Sequence, residues 1–288
     1  MSGKQYLKNK IPAIFVNLMG MLALALFLAA NGDPAQTVLF IFIVWQVFHQ
    51  ILKMAERSML EKIGGIQRER KEYKEYIEQW IHEVKTPITA MKLLCENNRS
   101  PFTRDILAEL ENIDQYTEQA LYYARSEHTE KDYFVREISL CDIVHSAIAD
   151  NKYLLRQSSM TIAADDLEHS VFTDDKWVRF ILDQIIRNAV KYRTEQPTLH
   201  FSAQKAGDRI ILSISDNGIG IPRSDLPRVF EKGFTGQNGR TGKKSTGIGL
   251  YLCRRLCDKL DIGLTVSSEG TGTTIALSFQ INDFITVL

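Results

Sequence analysis

The hydrophobic pattern changes character several times along the chain. Residues Ile11 to Ala30, IPAIFVNLMGMLALALFLAA, are almost continuously apolar, with Asn17 the one strongly polar interior position. A helix of about 20 such residues spans a hydrocarbon layer of about 30 Å. The turn-forming cluster NGDPAQ follows, and then a second apolar run from Thr37 to Leu52, with Gln46, His49 and Gln50 near its end. The pattern predicts two membrane-spanning helices, about 11–30 and 37–52, joined by a very short loop. A cleavable signal peptide ending near Ala29–Ala30 is a rival reading, which the second apolar run argues against. A buried hairpin in a soluble core is another. Gln46 and His49 suit either hydrogen bonds between the two helices or simple placement at headgroup level.

Beyond Leu52 the chain turns charged and helical. Met59, Ile63 and Ile66 recur at coiled-coil spacing, and Gly64–Gly65 interrupts them, either as a flexible joint or as a tolerated surface pair. Ile77, Ile81, Val84, Ile88 and Met91 then repeat at alternating four- and three-residue steps. After the turn sequence ENNRSPF, Ile106, Leu110, Ile113, Thr117, Ala120 and Ala124 do the same. Two amphipathic helices joined by a short turn make a helical hairpin. Its apolar face is too narrow for stability alone, and two copies packed as a four-helix bundle solve this, so a homodimer is expected.

From about Asp132 the pattern becomes mixed. FVREISL, PTLHFSAQ and DRIILSISD alternate as strands, CDIVHSAIADNKYLLRQ and DDKWVRFILDQIIRNAVKY read as helices, and IGLTVSSEGTGTTIALSFQI reads as a strand hairpin. The order is that of an α/β sandwich rather than of repeated βαβ units. The whole chain is therefore read as α+β. It divides into a membrane hairpin (1–52), a helical linker (53–72), a helical-hairpin dimerisation domain (73–127) and a C-terminal sandwich domain (132–288).

Charge and cysteines narrow the chemistry. Acidic and basic residues balance at 35 each, so no global field favours nucleic acid, and no direct nucleic-acid contact is expected. The basic residues are unevenly placed. Lys4, Lys8 and Lys10 precede the first apolar run, Lys53, Arg57 and Lys62 follow the second, and the loop between has none. The positive-inside rule then puts both termini in the cytoplasm, with the two spans in the plasma membrane. The four cysteines form no C-x-x-C pair and the histidines are scattered, which points to reduced core thiols rather than a metal site or disulfide framework.

Against that background, HEVKTP (His82 to Pro87) is unusual. His82 adjoins the apolar seam at Ile81 and so sits on its water-facing shoulder, with Glu83 beside it and Thr86 one turn on. A neutral imidazole is a fair nucleophile. A neighbouring carboxylate can take up its ring proton as it attacks phosphorus, and a hydroxyl can position water for the reverse loss of phosphate. Pro87 deletes one helical hydrogen bond and can loosen packing at that point. The bland reading is a surface histidine beside an ordinary helical glutamate.

Further on, DNGIGIP places Gly218 and Gly220 just after a strand, STGIGLYL opens a helix, and a Gly- and Lys-rich stretch lies between them. Helix N-termini bind phosphate through free N–H groups, and such a stretch suits a lid. Lys232, Arg240, Lys243 and Lys244 in that stretch suit phosphate charge or plain solvation. In QIIRNAVKY, the residues Gln184, Asn188, Lys191 and Tyr192 share one helix side. An amide oxygen at Asn188 suits Mg²⁺, Lys191 offers a point charge for phosphate, and Tyr192 can stack on a base.

Taken together these strings resemble a bacterial sensor histidine kinase. HEVKTP is similar to the H-E-x-x-T-P phosphoacceptor box, and Asn188, D-x-G-x-G, F-x-x-x-F and G-x-G-L occur in the order of the N, G1, F and G2 boxes of the GHKL ATPase fold. The GHKL likeness covers roughly Ile138 to Ile281. The resemblance to the kinases implies that His82 is phosphorylated from ATP, with Glu83 and Thr86 serving autophosphorylation and phosphatase activity. It further implies that Asp216 binds the adenine amino group and Asn188 binds Mg²⁺. Phe230 and Phe234 would mark the lid base, and Gly247, Gly249 and Leu250 the phosphate cradle. The EGTGTTI segment, with Thr273, would lie on the adenine side. One departure is Gln184 where the N box usually starts with Asn, which leaves its metal or water contacts open.

The chain between Leu52 and His82 is too short to hold a HAMP relay module as well as the start of the phosphoacceptor helix. That architecture resembles the BceS-type intramembrane-sensing kinases. The resemblance implies a DNA-binding response regulator, a peptide-antibiotic ABC transporter as membrane partner, and a stimulus such as bacitracin. The alternative is a GHKL conformational ATPase or an ATP-binding scaffold without phosphotransfer, neither of which needs a histidine at position 82.

Overall fold

In the computed structural model the residues described are 35–126, 133–236 and 246–281, with isolated positions at 20, 27 and 30. The first apolar run and the loop after it lie almost wholly outside them, as do Arg240, Lys243 and Lys244, so the paired membrane helices stand as a reading of the sequence. The chain divides into two compact units, residues 1–72 and 73–288.

In the first unit the described chain belongs to helix α1, Ala35–Asn97, which continues into the second. Leu39, Phe40, Phe42, Ile43, Val47, Phe48 and Ile51 are all exposed, so this apolar stretch has no protein partner among the described residues. It is the one described helix long and apolar enough to cross a membrane. The helix runs through Gly64–Gly65 without a break, and a Cβ added at either would meet nothing. They behave here as a tolerated surface pair.

The second unit begins with a helical hairpin. α1 passes Pro87, ends at Asn97, and turns into α2, Pro101–Ser126. Ser100 caps the new helix reciprocally: its Oγ accepts from the Thr103 N–H at 3.1 Å, and its N–H donates to Thr103 Oγ1 at 2.8 Å. Pro101 suits the first helical position, where its missing N–H costs nothing. Glu78–Arg125, Lys85–Glu118 and Lys92–Asp114 form ion-pair rungs at 2.7 to 2.9 Å, and their falling partner numbers set the antiparallel register. Partly exposed pairs of this kind contribute about 0.2–1 kcal/mol each, so they fix register more than stability. The apolar seam is small. Ile88, Cys95 and Leu110 are buried, with Val84, Ile106 and Leu107 against them. Met91 and Ile113, which the periodicity assigns to the seam, are instead exposed, because one hairpin has nothing to lay over that side of its helices.

The remainder is an α/β sandwich. Its elements are β1 (Arg136–Ser139), α3 (Leu140–Asp150), α4 (Lys152–Gln157), β2 (Thr161–Asp165), β3 (Ser170–Thr173), α5 (Asp175–Lys191), β4 (Thr198–Ala206), β5 (Arg209–Asp216), α6 (Gly249–Leu260), β6 (Gly263–Ser267) and β7 (Thr273–Gln280). β1 pairs antiparallel with β3, and a five-stranded sheet runs β2-β4-β5-β7-β6, antiparallel except for β2–β4. Strand alternation puts one residue in two on the inner face. Directly opposed residues therefore form ladders across that face: Phe201 meets Ile214, which meets Ile275, and Ala203 meets Leu212, which meets Leu277. Residues of α3, α5 and α6 complete the core, including Val144, Ile181, Ile186, Leu252 and Leu256, all essentially inaccessible. Cys253 and Cys257 are buried there too, and burial pushes the Cys257 thiol up to about 12.

Sequence and structure differ at three places in this lobe. The single helix expected over 141–157 is broken at Asn151, whose side-chain Nδ2 and backbone N–H both bond back to the Ala147 carbonyl and end α3. β2 escapes a periodicity reading because it is an edge strand with scarcely a buried side chain. β3 escapes because four residues are too few to show alternation.

Candidate active site

On α1, Ile81 is buried at 1% exposure and anchors the seam. One residue on, about 100° around the helix, His82 is exposed. Thr86 lies one turn further, and its Oγ1 donates to the His82 carbonyl at 3.2 Å. Pro87 has no N–H to give the Glu83 carbonyl, so the ladder lacks one bond beside the histidine. The Glu83 carboxylate accepts from Gln79 Nε2 at 3.1 Å. The structure thus joins Thr86 to His82 through the backbone and draws Glu83 to the preceding turn, as adjacent helix positions diverge. His82, Lys85, Thr86, Thr89, Ala90 and Leu93 line an open groove of about 460 Å³.

The second cluster gathers where β5 ends. Asp216 Oδ1 accepts from the Gly218 N–H at 2.8 Å, and Asp216 pairs across the sheet with Thr273, whose N–H also donates to its carboxyl. Burial pushes that carboxyl above its ordinary value, and the two N–H donors partly offset the rise. The following turn is held on two sides. The Ile219 N–H donates to the Tyr192 carbonyl at 3.0 Å, and the Gly272 N–H donates to the Gly218 carbonyl at 2.8 Å. Ser268 buckles the two glycine segments together: its Oγ accepts from the Ile221 N–H at 2.8 Å and donates to the Gly272 carbonyl at 2.6 Å. Gly220 has φ +72°, and a Cβ there would stand 2.6 Å from the Gly270 carbonyl oxygen, so no other residue fits. Ser268 was not singled out by the sequence. Its signal was a serine at the end of an apolar strand, which many turns share.

Asn188, Lys191 and Tyr192 occupy the last turn of α5, all partly buried. Lys191 Nζ lies 5.4 Å from the Tyr192 ring centre. Among the described residues no side chain occupies the Asn188 amide, which leaves its oxygen free in the manner a Mg²⁺ ligand requires. Gln184 has the same helical phase but a different environment. It is 3% exposed, its Oε1 accepts from Gln119 Nε2 at 2.8 Å, and its Nε2 donates to Asp183 at 3.1 Å.

The second glycine motif meets the phenylalanine segment. The Gly233 N–H donates to the Gly247 carbonyl at 3.0 Å, and Gly247, at φ +63°, would bring a Cβ within 2.4 Å of the Gly233 backbone. Phe230 and Phe234 are partly buried under Arg254 and Arg228, whose guanidinium carbons lie 4.7 and 4.6 Å from the respective ring centres. α6 begins at Gly249, with Leu250 in its first turn, and presents free N–H groups and the positive end of its dipole. One lobe therefore brings together Asn188, Lys191, Tyr192, Asp216, Gly218, Gly220, Phe230, Phe234, Gly247, Gly249, Leu250 and Thr273, while His82, Glu83 and Thr86 lie on the hairpin.

Comparison with known proteins agrees with this arrangement. The family described as histidine kinase-, DNA gyrase B- and HSP90-like ATPase matches residues 173–283. A second family, the EcoEI R protein C-terminal region, matches 71–213, but that span starts in the hairpin and stops inside β5, so it corresponds to no folded unit. The sensor histidine kinase YxdK of Bacillus subtilis is 35% identical over 210 residues, covering 71% of this chain and 64% of YxdK. The sensor protein kinase GraS of Staphylococcus aureus is 33% identical over 258 residues, covering 88% of this chain and 73% of GraS. Among solved structures, the histidine kinase AdeS of Acinetobacter baumannii superposes with a TM-score of 0.51 at 20% identity, over 70% of this chain and 98% of AdeS, which supports the fold. The chain belongs to the sensor histidine kinases, the ATP-dependent protein-histidine kinases of two-component systems, and within them it stands with the BceS-type members that YxdK and GraS represent.

Proposed function

We propose that this chain is a membrane sensor kinase that phosphorylates His82 from ATP and passes the phosphoryl group to an aspartate of a DNA-binding response regulator. The observation that carries the reading is the pairing, in one chain, of a solvent-exposed histidine beside a proline-weakened turn with a glycine-lined lobe whose Asn188 amide has no side-chain partner among the described residues. A ring nitrogen of neutral His82 attacks the γ-phosphorus, ADP departs, and the ring proton leaves to a base. Glu83 is that base, and reaching the ring takes it off Gln79. Asp216 accepts from the adenine amino group, and Gly247, Gly249 and the start of α6 receive the phosphates. Phosphoryl transfer is mostly positioning and charge neutralisation. Mg²⁺, held by Asn188, would supply the latter. Thr86, already turned toward the His82 backbone, orients water for dephosphorylation of the regulator.

The quaternary and membrane parts rest on surfaces. Met91, Leu94, Ile113 and Tyr116 are exposed on the hairpin, and a second copy of this chain is the natural cover. The exposed apolar residues 39–52 suit lipid. The run at 11–30 and the distribution of lysine and arginine support two spans with both termini cytoplasmic. With so short a loop outside, the stimulus reaches the kinase through a membrane partner. The kinship with BceS-type kinases supports a peptide-antibiotic ABC transporter in that role and an antimicrobial peptide as the signal.

The test is direct. Full-length protein in detergent or lipid nanodiscs, given labelled ATP, should take up acid-labile, base-stable label, and His82→Gln should abolish it. Label that persists in that variant overturns the assignment.

A further inference from the structure

The last turns of α2 lie against the nucleotide lobe, and they touch the elements that build its phosphate end. Gln119 is 7% exposed and donates to Gln184, at the start of the N box, at 2.8 Å. Thr246 Oγ1, beside Gly247, lies 3.5 Å from Gln119 Oε1. Lys232, in the phenylalanine segment, donates to Tyr123 Oη at 2.7 Å. Tyr122 stacks on Phe180 of α5 at 3.9 Å, and Arg255 of α6 donates to the Ser126 carbonyl at 2.9 Å.

Both ends of the Gln184 amide are spent on protein: the oxygen on Gln119, the nitrogen on Asp183. Gly249 is what makes room, since a Cβ there would stand 2.7 Å from Gln184 Oε1 and 3.7 Å from Gln119 Nε2. The extra methylene of glutamine over asparagine is the reach that the bridge to α2 needs. We propose that Gln119 and Gln184 are a positioning pair, in which the first N-box residue serves as a strut tying the stalk helix to the Gly249 phosphate cradle rather than as a metal or water ligand. Nucleotide affinity and the position of α2 are then energetically linked. Linkage is reciprocal, so a change on the stalk must be felt at the nucleotide. This rests on the lobe binding ATP as proposed above.

The experiment measures binding of ADP and of a fluorescent ATP analogue to full-length protein, each with Mg²⁺ and with EDTA. The variants are Gln119→Ala, Gln184→Asn and the double variant. Gln119→Ala keeps a good helix former and Gln184→Asn keeps the amide while shortening its reach by one methylene, and melting curves check folding. Each single variant should weaken binding about fivefold, at the low end of couplings between sites. The factor should be the same with and without Mg²⁺, and the double variant should be no weaker than the singles, because all three lose one shared bridge. Retained affinity in Gln119→Ala overturns the proposal, as does a loss in Gln184→Asn that appears only with Mg²⁺, which would make Gln184 part of the metal set. Wild-type protein that binds no nucleotide at all would refute the ATP reading instead, and the two failures are thus distinct.

Discussion

The helical hairpin and the nucleotide lobe solve the problem of burial differently. The lobe closes a sheet face with three helices, and its core residues, such as Phe201, Leu212, Ile186 and Leu256, have essentially no accessible surface. The hairpin buries Ile88, Cys95 and Leu110 in a small cluster of its own and leaves Met91, Leu94 and Ile113 in the open. A lobe of this kind carries its own stability, whereas a two-helix hairpin borrows it from whatever covers the exposed side. That division suits a molecule whose rigid part handles nucleotide while its stalk answers to neighbours.

Three changes sharpen or break the contrast. The largest effect is expected from Phe201→Ala, which empties a site at 0% exposure in the sheet ladder and should destabilise the lobe by about 3–5 kcal/mol. Calorimetry of the full chain should show the lobe transition fall while the stalk helix content, read by circular dichroism, persists. Loss of both together would mean that the two regions are one cooperative unit. A smaller effect is expected from Met91→Glu, which places charge on the uncovered hairpin face. It should leave nucleotide binding intact and shift the sedimenting mass from dimer toward monomer, and an unchanged mass would put the subunit contact elsewhere.

The smallest effect concerns Asp216. Burial raises its folded-state pKa above the unfolded value, so the protonated form is the one that folding favours. Its contribution to stability is therefore full below the unfolded value and is lost as pH rises through the raised one. Asp216→Asn should flatten that part of the pH–stability curve in denaturant titrations. An unaltered slope would show that the carboxyl is better solvated than its place beside Thr273 indicates.

The candidate site was legible to the extent that its chemistry is written in contiguous strings. HEVKTP placed an exposed histidine beside a buried isoleucine because helical phase alone sets that relation, and Asp216 and Gly218 fell together because a turn joins neighbours. The helices at 175–191 and 249–260 were visible through an aspartate cap and a glycine-led start. What stayed hidden joins residues far apart in sequence. Ser268 looked like any turn serine until it was found bridging Ile221 and Gly272. Gln119 falls outside the apolar repeat of its helix and nothing in the string marks it, yet it donates to Gln184. Met91 and Ile113 looked buried because periodicity reports a face and not what covers it.

By itself the sequence determined the local conformations, the identity of the reactive groups and the kinase family, since all three depend on short-range spacing and residue chemistry. Tertiary structure alone decided which side of each helix is covered, how the glycine turns are clasped, and that the Gln184 amide turns to the stalk. Those outcomes depend on which distant surfaces meet, and a long-range contact leaves no periodic trace along the chain.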